Sequence, residues 1–218
     1  MNFCIPPDED FKLADVLPYI GPEYGGPHRW GVTILILGES HYAEDMEAGE
    51  PLGTEFTRGV IQEVLNGIRK PAFNFFAKVA GLFYGGRHAS EAERIEFWHS
   101  VAYYSFVQAC VGNSPRRRPT SLMWERAELP FVETLQLLDP ELVLVLGREL
   151  WVHLPALNSG ETDIQLGGER MSARFYARRT GRALAFAINH PSSIGWSYRK
   201  WAPWTVQAAR QARQHMLR

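Results

Sequence analysis

Cysteine is nearly absent: Cys4 and Cys110 are the only two in 218 residues. Two thiolates cannot carry an iron–sulfur cluster, which takes four, and they exclude a multi-disulfide scaffold. Both are expected to be reduced and structural. Long apolar runs are missing as well, and no stretch approaches the roughly 20 residues that a membrane helix needs. The opening Met1 to Asp10 lacks the basic and apolar regions of a secretory signal, so the expectation is a cytoplasmic protein without a membrane partner. Acids are absent from Met171 to Arg218, a stretch that holds Arg174, Arg178, Arg179, Arg182, Arg199, Lys200, Arg210, Arg213 and Arg218. All 24 acids but only 14 of the 23 bases precede it, so a net charge of −1 divides into −10 and +9. A basic third of this kind suggests a face for polyanions, or else salt bridging between the two parts.

What is present reads as a folded α/β chain, with 45% apolar and 12% aromatic residues. Residues 1–31 are rich in Pro, Gly and acids and read as an irregular arm. Val32–Leu37, Val101–Val107 and Leu142–Gly147 are continuous apolar runs, the mark of buried strands. Met171–Arg178 and Arg182–Ile188 flank Thr180-Gly181 and suit a hairpin. Helical spacing follows Phe56 to Ile68, then Pro71 to Phe83. Ser90 with Glu93 caps a third helix, Thr120 a fourth ending before Pro140, and further helices cover Arg148–Leu154 and Tyr198–Leu217. Helices alternating with buried strands predict a single-domain, three-layer α/β/α sandwich around a mostly parallel four-stranded sheet.

Two strands end abruptly in polar residues: Ile34 to Leu37 in Gly38-Glu39-Ser40-His41-Tyr42, and Ala185 to Ile188 in Asn189-His190-Pro191-Ser192-Ser193. In open α/β sheets the ligand crevice lies at the carboxyl ends of the strands, where loops distant in sequence meet. Acid–base chemistry needs ionisable groups held within hydrogen-bond reach of a substrate, and Glu39, Ser40 and His41 leave the sheet together. A Gly ending a strand and a Ser capping a helix would give the same string. His190 after a strand can donate to an oxygen on which negative charge develops, although a hydrogen-bonded loop histidine looks the same. Arg116-Arg117-Arg118 between prolines is a solvated loop or a grip on phosphates. Glu39, His41, Glu44 and Asp45 have no recognised metal-ligand spacing.

Taken in order, these segments resemble the uracil-DNA glycosylase superfamily over roughly residues 32–215. Gly38-Glu39-Ser40-His41-Tyr42 looks like its catalytic first motif. Tyr104-Ser105-Phe106-Val107-Gln108 with the Pro/Arg loop looks like its base-recognising strand, and Pro140 to Gly147 like the strand that follows. His190-Pro191-Ser192 looks like its last motif. The resemblance implies a glycosylase that flips a nucleotide into a pocket and hydrolyses its N-glycosidic bond. It implies catalytic roles for Glu39, Ser40 and His190, and a base pocket of Gly38, His41, Tyr42, Phe56 and Ser105, with Leu52 competing for the stacking position of Phe56. It further implies DNA contacts from Arg116, Arg117, Arg118, Ser192, Ser193, Arg199 and Lys200, with DNA as partner to a monomer that carries no metal and no cofactor.

The departures are specific. Ser40 stands where the strictest members keep a catalytic Asp and mismatch-specific relatives an Asn, and a neutral Ser is a poor general base. Ser105 stands where many keep a uracil-reading Asn, and a hydroxyl cannot present an amide's paired donor and acceptor. That opens hypoxanthine, xanthine or another damaged base as substrate. It also opens a catalytically weak relative that binds nucleic acid or a nucleotide, and a binding module without chemistry. A Ser hydrolase using Ser40 and His190 is the remaining alternative, but Ala187 occupies the position where such enzymes place an orienting acid.

Overall fold

Isoleucine, leucine and valine without a polar interruption leave a strand no solvent face, so Ile34–Gly38 and Leu142–Leu146 are buried at every position. The computed structural model describes residues 4–68, 70, 73–114, 116–156 and 160–215. Pro71, Pro115, Leu217 and Arg218 lie outside them. The strands in chain order are β1 (Tyr19–Ile20), β2 (Ile34–Gly38), β3 (Ala102–Ser105), β4 (Leu142–Leu146), β5 (Gly160–Leu166), β6 (Glu169–Arg178) and β7 (Gly181–Ile188). They form one sheet in the order β1-β3-β2-β4-β7-β6-β5.

This corrects the expected four-stranded, mostly parallel sheet: seven strands are present and the pairing is mixed. The neighbours β3-β2-β4-β7 pair in parallel, while β1, β6 and β5 add antiparallel strands at the two sides. The additional strands carry no apolar signal. β1 is two residues inside the Pro/Gly-rich arm, and β5 buries only Ile164. The expected hairpin is present as β6–β7, its turn held by Asp139, whose carboxylate accepts from Thr180 N–H at 3.0 Å and Thr180 Oγ1 at 2.6 Å.

Alternation along the strands sends neighbouring side chains to opposite faces. Ile34, Ile36, Leu144 and Phe186 pack with helices α1 (Phe56–Leu65), α2 (Asn74–Phe83), α3 (Glu91–Ser100) and α6 (Tyr198–His215). Leu35, Leu37, Val143 and Ala185 pack with α4 (Ser121–Leu138) and α5 (Arg148–His153). Helices therefore cover both faces and functional loops are left to the sheet edges.

The N-terminus of α3 is the capping box its sequence announces: Glu93 N–H donates to Ser90 Oγ at 3.3 Å and Ser90 N–H to Glu93 Oε2 at 2.8 Å. Ser90→Ala should therefore reduce stability by about 1 kcal/mol, read as an earlier urea midpoint with an unchanged slope.

Candidate functional site

β2 and β7 both run parallel to β4, which lies between them, so the residues following Gly38 and Ile188 emerge side by side at the carboxyl edge. Gly38 is required there, because a Cβ would collide with the Tyr103 hydroxyl. Beyond it the backbone stays fixed: Phe106 and Val107 N–H donate to the Gly38 and Glu39 carbonyls, each at 2.9 Å. The Glu39 side chain is 15% exposed, and its Oε1 accepts from Arg118 Nη1 at 2.9 Å. Burial pushes its carboxyl above the usual carboxylate range, and the Arg118 guanidinium opposes that rise. Arg118 also pairs with Glu149 at the start of α5, so one guanidinium ties together the loops after β2, β3 and β4.

His190 occupies the neighbouring loop. Ser192 N–H donates to its Nδ1 at 3.2 Å, which leaves the ring proton on Nε2. Burial first, and then the cations Arg118 and Lys78, push its pKa down to about 4, so the ring is neutral. Phe75 on α2 lies 5.4 Å from it, centroid to centroid, and Lys78 Nζ donates to the Pro191 carbonyl at 2.8 Å. The same loop carries Ile194, which is fully exposed.

Several expected pocket residues do meet, but in a closed cluster. His41 Nε2 lies 2.8 Å from Thr57 Oγ1 and 3.0 Å from Ser105 Oγ, and its ring meets Phe56 edge-on at 5.0 Å. His41 and Ser105 are buried, and they satisfy one another instead of facing outward. Burial holds the His41 imidazole neutral, with its pKa down at about 4. Tyr42 is half-buried against the α4 side of the sheet, Leu52 is buried beside Cys110, and Ser40 is half-buried. Cys4 and Cys110 are both free thiols, the first exposed and the second buried.

Arg116 and Arg117 are exposed, and Arg116 has φ +70, a left-handed conformation uncommon outside glycine. Ser192, Ser193, Arg199 and Lys200 are exposed as well, the last two in the first turn of α6. Arg148, just past β4, approaches the same Trp201 ring as Lys200, at 5.9 and 4.9 Å. The basic third does not form one face. Arg178 is buried and pairs with Asp139 at 2.9 Å beyond the other end of the sheet, and Arg213 lies against Gly31 there. Part of the basic third is thus engaged in internal salt bridging, and part of it is exposed.

Phe75, Lys78, Glu149, Thr57 and Ile194 were not legible as site residues. Phe75 and Lys78 look like one more apolar residue and one more surface charge on an amphipathic helix, and only the sheet order brings them to His190. Ile194 carried a visible signal, an isolated apolar residue between Ser193 and Gly195 just after the histidine.

Among the described residues, no three His, Cys, Asp or Glu side chains gather to hold a metal ion, and no helix is long and apolar enough to cross a membrane. No protein-family model matches the sequence, and no curated protein matches it.

Proposed function

We propose that this chain is a DNA base glycosylase of the uracil-DNA glycosylase kind, which hydrolyses the N-glycosidic bond of a flipped, deaminated or damaged base. One observation carries this reading: Glu39 and His190, both largely withdrawn from water and both shifted in pKa, emerge on either side of β4 and share Arg118 as neighbour. Perturbed titratable groups gathered at a strand-end crevice are the expected setting of acid–base chemistry.

Breaking the bond puts positive character on the sugar and negative charge on the departing base. His190 presents an Nε2–H to a base carbonyl oxygen, and a fixed donor in a dry site stabilises the charge that grows there. Glu39, whose rise by burial the Arg118 guanidinium opposes, orients the attacking water, takes its proton as the new C–O bond forms, and faces the cationic sugar, while the departing base anion is protonated from solvent. Ser40 takes no proton in this scheme, so its replacement of an Asp is tolerated. Phe75 offers the half-buried ring beside His190 on which a base can stack. Ile194 is shaped as an apolar wedge between base steps, and Ser192 and Ser193 lie against the backbone. Because His41 and Ser105 are bonded to each other, they do not read the base edge. What remains is a carbonyl oxygen opposite His190, which uracil, hypoxanthine and xanthine offer and adenine does not. Thymine, guanine and cytosine offer one too, so the identity of the released base is left to the assay.

A nucleic-acid binder with feeble catalysis is the second reading, favoured by the engagement of Glu39 with Arg118. A Ser hydrolase fits poorly, since a triad histidine donates from Nδ1 and accepts from Ser at Nε2, the reverse of the arrangement found.

The test is release of free base from labelled oligonucleotides carrying uracil, hypoxanthine, xanthine or mismatched thymine, single- and double-stranded, read by alkaline strand scission. Release of a carbonyl-bearing base supports the glycosylase. Salt-sensitive binding without release moves the assignment to the second reading, and neither result sinks both. Binding has its own signature: Arg199→Ala with Lys200→Ala should weaken affinity alike on all sequences and lower the slope of log K against log salt by about 2.

A further inference from the structure

The turn after β7 makes mostly local bonds. Ser193 N–H donates to the His190 carbonyl at 2.8 Å, Trp196 N–H to the Ser193 carbonyl at 3.2 Å, and Ser192 N–H to the His190 ring. Local bonds fix the shape of a turn but not its place on the sheet. That place is set from α2, where Phe75 and Lys78 are three residues apart and share one helical face. Phe75 abuts the imidazole, while the Lys78 ammonium donates to the Pro191 carbonyl at 2.8 Å and lies 5.3 Å from the centre of the Trp196 ring. The grip thus reaches both the first and the last residue of the turn. α2 is a firm base for it, with Phe76 and Val79 buried in the core and Gly81 accommodating the Tyr198 hydroxyl where α2 meets α6.

We propose that Lys78 is a positioning residue: by holding the Pro191 carbonyl and the Trp196 ring together, it sets where His190 Nε2–H and Ile194 meet a bound nucleotide. Its catalytic consequence rests on the glycosylase reading, whereas its structural consequence does not. A compact ammonium on a flexible stem suits the task, because it can satisfy a carbonyl and an aromatic face from one point. The same charge opposes protonation of His190. The cations acting on that ring are Lys78 from α2 and Arg118 from the loop after β3, and the carboxylates of Glu39 and Glu149 are held at Arg118. Removing Lys78 therefore lets His190 accept a proton at higher pH.

The experiment compares native protein with Lys78→Met, which keeps the stem and removes the charge, and Lys78→Arg, which keeps the charge. Three quantities are read: kcat and KM for base release, amide exchange at Ser193 and Trp196, and the His190 titration followed at its ring carbon–hydrogen signal. In Lys78→Met, kcat should fall about 100-fold, the loss expected when a reacting group moves by about 1 Å, with KM nearly unchanged. Exchange should quicken at both amides, the His190 midpoint should move upward, and Lys78→Arg should recover most of each change. Unaltered exchange and titration in a folded Lys78→Met protein overturn the proposal. Equal losses in Lys78→Arg and Lys78→Met also overturn it, by assigning the effect to packing. If Lys78→Met does not fold, Lys78→Gln is read in the same way. If the native protein releases no base, the exchange and titration still decide the role of Lys78, and the failure belongs to the glycosylase reading alone.

Discussion

His190→Ala should slow base release by a factor on the order of 1,000 while leaving the melting temperature near that of the native protein, the loss known for removal of one preorganised donor to a developing anion. The geometry behind this is asymmetric. Nδ1 is occupied by Ser192 N–H, so Nε2 is the ring atom left to donate, and that bond together with the contact to Phe75 limits the ring's freedom to turn. Because the ring titrates at about 4, its charge does not change between pH 5 and 8, and His190 contributes no limb to the pH–rate profile there. The acid limb belongs to Glu39, whose raised pKa means that activity falls, as pH is lowered, earlier than an ordinary carboxylate would dictate. Glu39→Gln should remove that limb together with most of the rate. Native-like release by His190→Ala would show that the departing base is stabilised elsewhere and would dismantle the mechanism.

The parts of this arrangement that could be read from sequence share one cause. A strand buried on both faces must be apolar throughout, so Ile34–Leu37, Leu142–Leu146 and Ala185–Ile188 announce themselves, and their polar termini mark the carboxyl edge of the sheet. Strands that are not buried on both faces give no such signal. Gly160–Leu166 alternates charged, polar and small residues along the outer side of the sheet and reads as loop, which is why the sheet is larger than expected. Side-chain partnership is invisible for a different reason. His41, Ser105 and Phe56 are rightly neighbours, yet nothing in their identities reveals that Thr57 completes the set and closes it. Lys78 is the converse case, an ordinary helical lysine given meaning by a turn more than a hundred positions away.

Charge followed the same rule. The excess of bases after Met171 is real, but α6 runs from one end of the sheet to the other and divides it. Arg199 and Lys200 stand in the first turn of α6, a few residues after the His190 loop, whereas Arg213 lies against Gly31, which precedes β2. Other segments bring cations to the same end of the sheet: Lys78 bonds the Pro191 carbonyl, Arg118 pairs with Glu39, and Arg148 shares the Trp201 ring with Lys200. An electrostatic footprint assembled from separate segments is a property of topology, and composition along the chain only hints at it.

Acid should destabilise the fold well before ordinary carboxylates protonate, with His41 contributing about 3 kcal/mol between pH 6.5 and 4. The imidazole titrates near 6.5 in the unfolded chain and at about 4 in the folded one. As pH falls through that window the unfolded state binds the proton first, so stability is full above 6.5, declines by about 1.4 kcal/mol per pH unit and levels off below 4. The largest contribution is burial: a charged ring beside Phe56 would lose water and gain only two hydroxyls. His190 acts in the same direction, and Glu39, whose pKa is raised, in the opposite one. His41→Gln keeps an amide within reach of Thr57 and Ser105 without the titration, so its urea midpoint should decline less steeply from pH 7 to 5 than that of the native protein. Parallel declines would remove His41 as the cause. The comparison also separates two losses of activity in acid. Protonation of Glu39 leaves the fold intact and reverses at once on neutralisation. Charging His41 strains the contact between the loop after β2, α1 and β3, only two residues from Glu39, so activity lost by that route should follow the unfolding curve and return only as the chain refolds.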